Sequence, residues 1–151
     1  MYEIIGESIK SATSIKLGEI FGTDIKRYKE SIINIQYPNF FIYQVSANIE
    51  SDTYNRRIIN YLVNIRYRYV KDISTVSNLE ENLDKMGLKL MTEFNTIQLE
   101  KPMKVLNARY EKADGVLQFF FNINVRIKKE LTEEEKMQIL KLNERLKEED
   151  K

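Results

Sequence analysis

The side chains that most often do chemistry in proteins, Cys and His, are both absent from this chain of 151 residues. Thiolate or imidazole zinc sites, Ser-His and Cys-His nucleophile pairs, haem ligation and disulfide scaffolds are therefore excluded on residue type alone. Carboxylate, Lys and Tyr chemistry remains. The acidic runs Glu133-Glu134-Glu135 and Glu148-Glu149-Asp150 offer the hard oxygen ligands that a divalent cation wants. Neither run has the spacing of a cation-binding loop, and the first lies in the opening turn of an expected helix, where acids complement the helix dipole. Glycoside chemistry needs two acids flanking a pocket, and every acid here has a surface-like context. Gly6, Gly18, Gly22, Gly87 and Gly115 are too scattered to cradle a phosphate. The sequence predicts no catalytic residue, no cofactor and no metal.

Basic and aromatic residues interleave at Arg66-Tyr67-Arg68-Tyr69, with Arg56-Arg57 and Lys71 nearby, as they do in some single-strand nucleic-acid binders. Strand alternation explains the pattern more simply. It turns Tyr67 and Tyr69 to the core and Arg66 and Arg68 outward, which separates the rings from the cations. The net charge of +1, from 24 basic and 23 acidic residues, supplies no overall field toward nucleic acid or an anionic membrane. Phe119-Phe120-Phe121 poses the reverse problem: Phe119 and Phe121 alternate onto a buried face, while Phe120 stands among Gln118, Asn122 and Asn124. Phe120 either covers a second layer or sits in a contact between subunits, and the contact is the preferred reading.

The elements that must position these residues follow from periodicity. The length suits one domain, no stretch approaches the ~18 apolar residues of a membrane span, and the acidic start lacks the basic and apolar regions of a signal peptide. The chain is expected to stay where it is made. Residues 3 to 21 read as a helix whose broad apolar arc joins Ile5, Ile9, Ala12 and Ile20 with Lys16, stopped at Gly22. Tyr37-Pro38-Asn39 opens a strand with Phe41, Tyr43, Val45, Ala47 and Ile49 on its buried face. A second strand follows with Ile59, Tyr61, Val63, Ile65, Tyr67 and Tyr69 inward, as a long antiparallel partner. Ser77 and Glu80 have capping-box spacing ahead of Leu79, Leu83, Met86 and Leu90, one stripe of a helix that should lie on the sheet.

Asp114-Gly115 predicts a two-residue type I′ hairpin turn. In that register Tyr110 faces Phe119, Ala108 faces Phe121 and Leu106 faces Ile123. Beyond Lys129, Thr132 and Glu135 open a charged helix to about Glu149, with Ile139, Leu142 and Leu146 as its narrow apolar seam. Residues 130 to 151 hold eight acids and five bases, net −3, against +4 for the rest. The fold class is therefore α+β: an antiparallel or mixed sheet with long strands and an Asp-Gly hairpin, packed by an N-terminal and a middle helix. Residues 1–129 form the domain and 130–151 a charged helical extension whose seam should bind outside its own subunit core.

This order of elements resembles the tail terminator proteins of long-tailed phages, most of all the family of contractile-tailed phages, prophages and phage-tail-like particles of Gram-positive bacteria. The resemblance covers roughly residues 3 to 129. It is carried by the helix with Ile5, Ile9 and Phe21, by Tyr37-Pro38-Asn39-Phe40-Phe41-Ile42, by Arg57 ahead of Tyr61-Leu62-Val63-Asn64-Ile65-Arg66-Tyr67, and by Asp114-Gly115-Val116-Leu117-Gln118-Phe119. Where the family is richer in acids and Gln before the Pro, this chain has Lys26-Arg27-Tyr28-Lys29-Glu30.

What the resemblance implies is a virion structural protein and no enzyme. Its subunits would form a homo-oligomeric, hexameric ring at the tail-neck junction, assembled in the bacterial host cytoplasm. The ring would cap the tail tube protein and the tail sheath protein, stop polymerisation and join the neck or head-tail connector protein, with DNA passing through its channel without specific binding and no membrane involved. The surfaces expected to serve such contacts are Phe120, Ile139, Leu142, Leu146, Arg57, Arg66 and Arg68. Another neck or head-tail completion protein, or a nucleic-acid module using Arg56, Arg57, Arg66 and Arg68, are the alternatives.

Overall fold

The computed structural model describes residues 5–30, 32–128, 137 and 140–142. Helix α1 spans Ile5–Phe21 and leads into a short strand β1, Lys26–Tyr28. The long strands β2 (Asn39–Asp52) and β3 (Arg56–Arg68) follow, then a single 3-10 turn at Ile73–Thr75 and helix α2 (Leu79–Glu93). Two three-residue strands, β4 (Thr96–Gln98) and β5 (Pro102–Lys104), make a small separate sheet before β6 (Leu106–Ala113) and β7 (Val116–Lys128). The main sheet has the order β1-β2-β3-β7-β6, with β1 parallel to β2 and every other pair antiparallel. This mixed sheet with helices on one face is the expected α+β class. The strands β1, β4 and β5 are too short to leave a periodicity in the sequence.

One core lies between the sheet and the two helices. It joins Ile9 and Leu17 of α1 and Leu83 and Leu90 of α2 to Val63, Ile65, Phe119 and Phe121, all fully buried. Phe94, just past α2, closes on Phe119 and Phe121 with ring centroids 5.7 and 5.0 Å away. Each such side chain contributes on the order of 1.5–3 kcal/mol by leaving water, so the aromatic cluster under α2 anchors the domain.

Four local expectations are corrected. The buried face of α1 runs through Ile9, Ala12, Thr13 and Leu17, while Ile15 is exposed. Thr13 joins this face because its hydroxyl donates to the Ile9 carbonyl at 2.7 Å and so needs no water. Ser77 does not cap α2: Asn78 holds the cap position, without a side-chain hydrogen bond. On β2 the core side carries Phe40 and Ile42 and not the odd positions; Phe41 is buried outside that core, and Val45 and Ile49 are exposed.

The cause on β2 is a bulge between Gln44 and Ser46. Before it Phe40 and Ile42 pair with Tyr67 and Ile65 on the core side; after it Ala47 and Ile49 pair with Tyr61 and Ile59. An extra residue in one strand swaps its faces, so an unbroken odd stripe in the sequence is split between both sides of the sheet. The fourth correction is in the β6–β7 hairpin. Its turn is as expected, with Asp114 and Gly115 at φ of 52° and 75° and Ala113 opposite Val116, and Tyr110 faces Phe119. Beyond Arg109 a bulge slips the register by one, so Leu106 pairs with Asn122 and not Ile123, and the residue at the slip, Asn107, takes a φ of 53°.

Helix α2 is held on the hairpin in two ways. Lys112 Nζ reaches Glu80 at 2.8 Å and Asp84 at 3.0 Å, and its hydrogen bonds to these partners raise its pKa above the ordinary value. At Gly87 the helix presses directly on Tyr110: a Cβ there would stand 2.8 Å from the ring. Only a residue without a side chain fits. Gly87→Ala is expected to cost about 1–3 kcal/mol through overpacking, outweighing the roughly 1 kcal/mol by which helix propensity favours Ala. Urea unfolding checks this, and in a Tyr110→Ala background the same substitution is expected to be neutral or stabilising.

Burial, with a smaller effect of Tyr69, pushes the Tyr67 phenol up to about 12 from 10.0. The folded pKa lies above the unfolded one, so this contribution to stability is complete below pH 10 and is lost as pH rises toward 12. The wild-type unfolding midpoint is expected to fall more steeply than that of Tyr67→Phe over that window.

Candidate functional site

With both helices on one side, the other face of the sheet carries the residues singled out for contact. Alternation along β3 places Asn60, Leu62, Asn64, Arg66 and Arg68 there, and pairing with β7 sets Asn64 beside Phe120 and Arg66 beside Gln118. From β2, Phe41 and Tyr43 stand opposite Arg66 and Asn64. Arg109 of β6 is opposite Phe120.

Three guanidinium groups lie against three rings on this face: Arg109 is 4.7 Å from the Phe120 centroid, Arg66 is 4.7 Å from Tyr43, and Arg68 is 5.8 Å from Phe41. Tyr67 and Tyr69 do face the core as expected. Cations and aromatics are nevertheless not separated, because β2 and β7 bring their own rings to the outer face. Each arginine shields one ring from water, which is why Phe120 is only half exposed and Phe41 is buried outside the main core. The rings that a nucleic-acid base would stack on are thus already occupied.

Next to these pairs runs a line of amides. Asn122 Nδ2 donates to Asn60 Oδ1 at 2.8 Å and Asn60 Nδ2 donates to Asn124 Oδ1 at 2.7 Å, while Asn107 Nδ2 reaches Asn122 Oδ1 at 3.5 Å. The buried Asn64 donates to the Phe119 carbonyl and accepts from Arg66 Nε at 3.0 Å. These asparagines are therefore spent on one another, on the backbone and on Arg66. Among the described residues no group of acids is placed to hold a metal ion.

The expected contact residues are not all brought together. Phe120, Arg66 and Arg68 share the outer face. Arg57 lies on the other face and at the opposite end of β3, where it pairs with Asp52 across the β2–β3 turn at 3.4 Å. It braces a turn. Leu142 is helical and exposed, whereas Ile139 and Leu146 lie outside the described residues. Arg109, Tyr43 and the asparagine line escaped sequence reasoning. Their polar alternation was visible, but which residue meets which depends on the registers of three strands.

Two further surfaces are open. The first is the β2–β3 hairpin beyond the core, with Val45 and Ile49 each more than half exposed and Tyr54 near its tip. The second is a groove of about 1110 Å³ between α1, the β4–β5 hairpin and the end of β7. Ala12, Ile15, Leu99, Met103, Val125 and Ile127 give it an apolar lining, and Lys101, Arg126 and Lys128 stand among them with Glu7 and Glu100.

Comparison with known proteins places this architecture. No curated protein matches the sequence. A solved structure that covers 87% of this chain, and is itself covered completely, is similar at 10% identity with a TM-score of 0.34, too low to carry an argument. The family model described as phage tail terminator protein matches residues 8–135. That span takes in both helices, the whole sheet and the open surfaces, and on it the chain belongs to the phage tail terminator family, structural proteins of the virion tail.

Proposed function

We propose that this protein is the tail terminator subunit of a ring, a hexamer, that caps the head-proximal end of the tail tube, stops its polymerisation and offers a surface to the neck. In a contractile tail it would also hold the last sheath ring. The observation that carries the reading is the family match across residues 8–135. The geometry supports it through unlike surfaces on one subunit, since a closed ring is built from heterologous contacts between two different patches.

The two sides of the sheet provide such patches. Strand β1 covers β2 only at Asn39–Phe41, so the β2 edge from Ile42 onward has no strand neighbour among the described residues. Val45 and Ile49 stand exposed along that stretch. At the other side β6 is paired, among the described residues, with β7 alone. Edges and apolar side chains left open in a monomer are where another chain adds.

A nucleic-acid module is the weaker reading, because Arg57 is apart from Arg66 and Arg68 and the rings are covered. The test is capping. Added to polymerising tail tube protein, the wild type is expected to sit at one end of the tubes and fix their length, while Val45→Asp/Ile49→Asp leaves tubes growing. Because both positions are exposed, the double variant should keep its stability to within about 0.5 kcal/mol per site. Tubes that lengthen equally with wild type present would refute the function.

A further inference from the structure

The groove beside α1 lies where the chain leaves the sheet. Lys128, the last residue of β7, is one of its lining residues, so the segment 129–151 starts at the groove's lip. That segment carries the seam Ile139, Leu142 and Leu146 at helical spacing on an otherwise charged sequence of net −2. Its described residues, Met137 and 140–142, are helical, with Met137, Leu140 and Leu142 about half exposed, and none of them lines the groove. Among the described residues, the seam's Leu142 does not line the groove.

We propose that the groove formed by α1, the β4–β5 hairpin and the end of β7 is the receptor for segment 129–151 of a second copy of this chain. The chemistry of the two surfaces matches. Ile15, at 62% exposure, and the partly buried Met103 offer apolar surface to the half-exposed Leu142. Lys101, Arg126 and Lys128 outnumber Glu7 and Glu100 on the lining, and the incoming segment is acidic. The groove and the segment are different patches of one chain, so the contact is heterologous and passes from copy to copy around a closed ring. The inference rests on the ring reading to the extent that a second copy must be present.

The natural absence of Cys makes a cross-linking test clean. Ile15→Cys and Leu142→Cys, on differently tagged full-length chains, are co-expressed and treated with a short bismaleimide. Leu88→Cys, exposed on α2 away from the groove, replaces Ile15→Cys in the control pair. A mixed covalent dimer at least several-fold above the control is the expected result. A cross-link that forms only within the double variant Ile15→Cys/Leu142→Cys, without mixed dimers, places the chain's own segment in the groove and overturns the proposal. So does no cross-link above control. Gel filtration of the same samples separates the two levels: chains that associate without cross-linking refute the groove contact and leave the ring reading standing, while chains that stay monomeric refute both.

Discussion

The pairing of β3 with β7 runs for twelve residue pairs, from Arg56 opposite Lys128 to Tyr67 opposite Leu117, without a shift. Every other placement in the molecule is measured from it. It commits Tyr61, Val63, Ile65, Phe119, Phe121 and Ile123 to one side, where the two helices close over them, and Asn60, Asn64, Arg66, Phe120, Asn122 and Asn124 to the other. A slip of β3 by one residue against β7 would turn over its faces and bury Asn60, Asn64 and Arg66 under the helices. The aromatic cluster around Phe94 makes that exchange costly, so register and core fix each other.

The strands flanking this pair are irregular, and the irregularities shape the surfaces. A bulge in β2 swaps its faces at Val45, and one in β6 does the same near Asn107. The result is a sheet that is regular at its centre and adjustable at its sides, where Val45 and Ile49 remain uncovered. Bulged edges resist unlimited strand addition while still allowing a specific neighbour. The proposed ring, which joins a fixed number of copies and then stops, would use both properties.

Much of this was legible in the sequence, and the misses share a cause. The Asp114-Gly115 turn, the inward set of β3 and the stripe of α2 depend on local chemistry or on an unbroken period, and each was readable. The face of β2 was not, because Phe41, Tyr43, Val45, Ala47 and Ile49 keep a perfect alternation that the bulge cancels in space. The role of Thr13 was hidden because a hydroxyl bonded to its own helix behaves as an apolar group, a fact of geometry and not of residue type. The open face was half readable. Phe120 stood out as a ring among amides, but its partner Arg109 and the rings under Arg66 and Arg68 come from strands whose registers had to be known first. Family membership was legible from element order, since no reactive signature marks a protein whose work is assembly.

The proposed ring requires unlike patches of one chain to meet repeatedly and close. Heterologous contacts that close give a single defined mass, and those that fail to close give filaments of indefinite length. Native mass spectrometry of the purified full-length chain over a range of concentrations distinguishes these directly. One dominant closed species, a hexamer in equilibrium with monomer, is the expected result for the proposed ring. A monomer at every concentration, or a continuous ladder of masses without a preferred size, would contradict it.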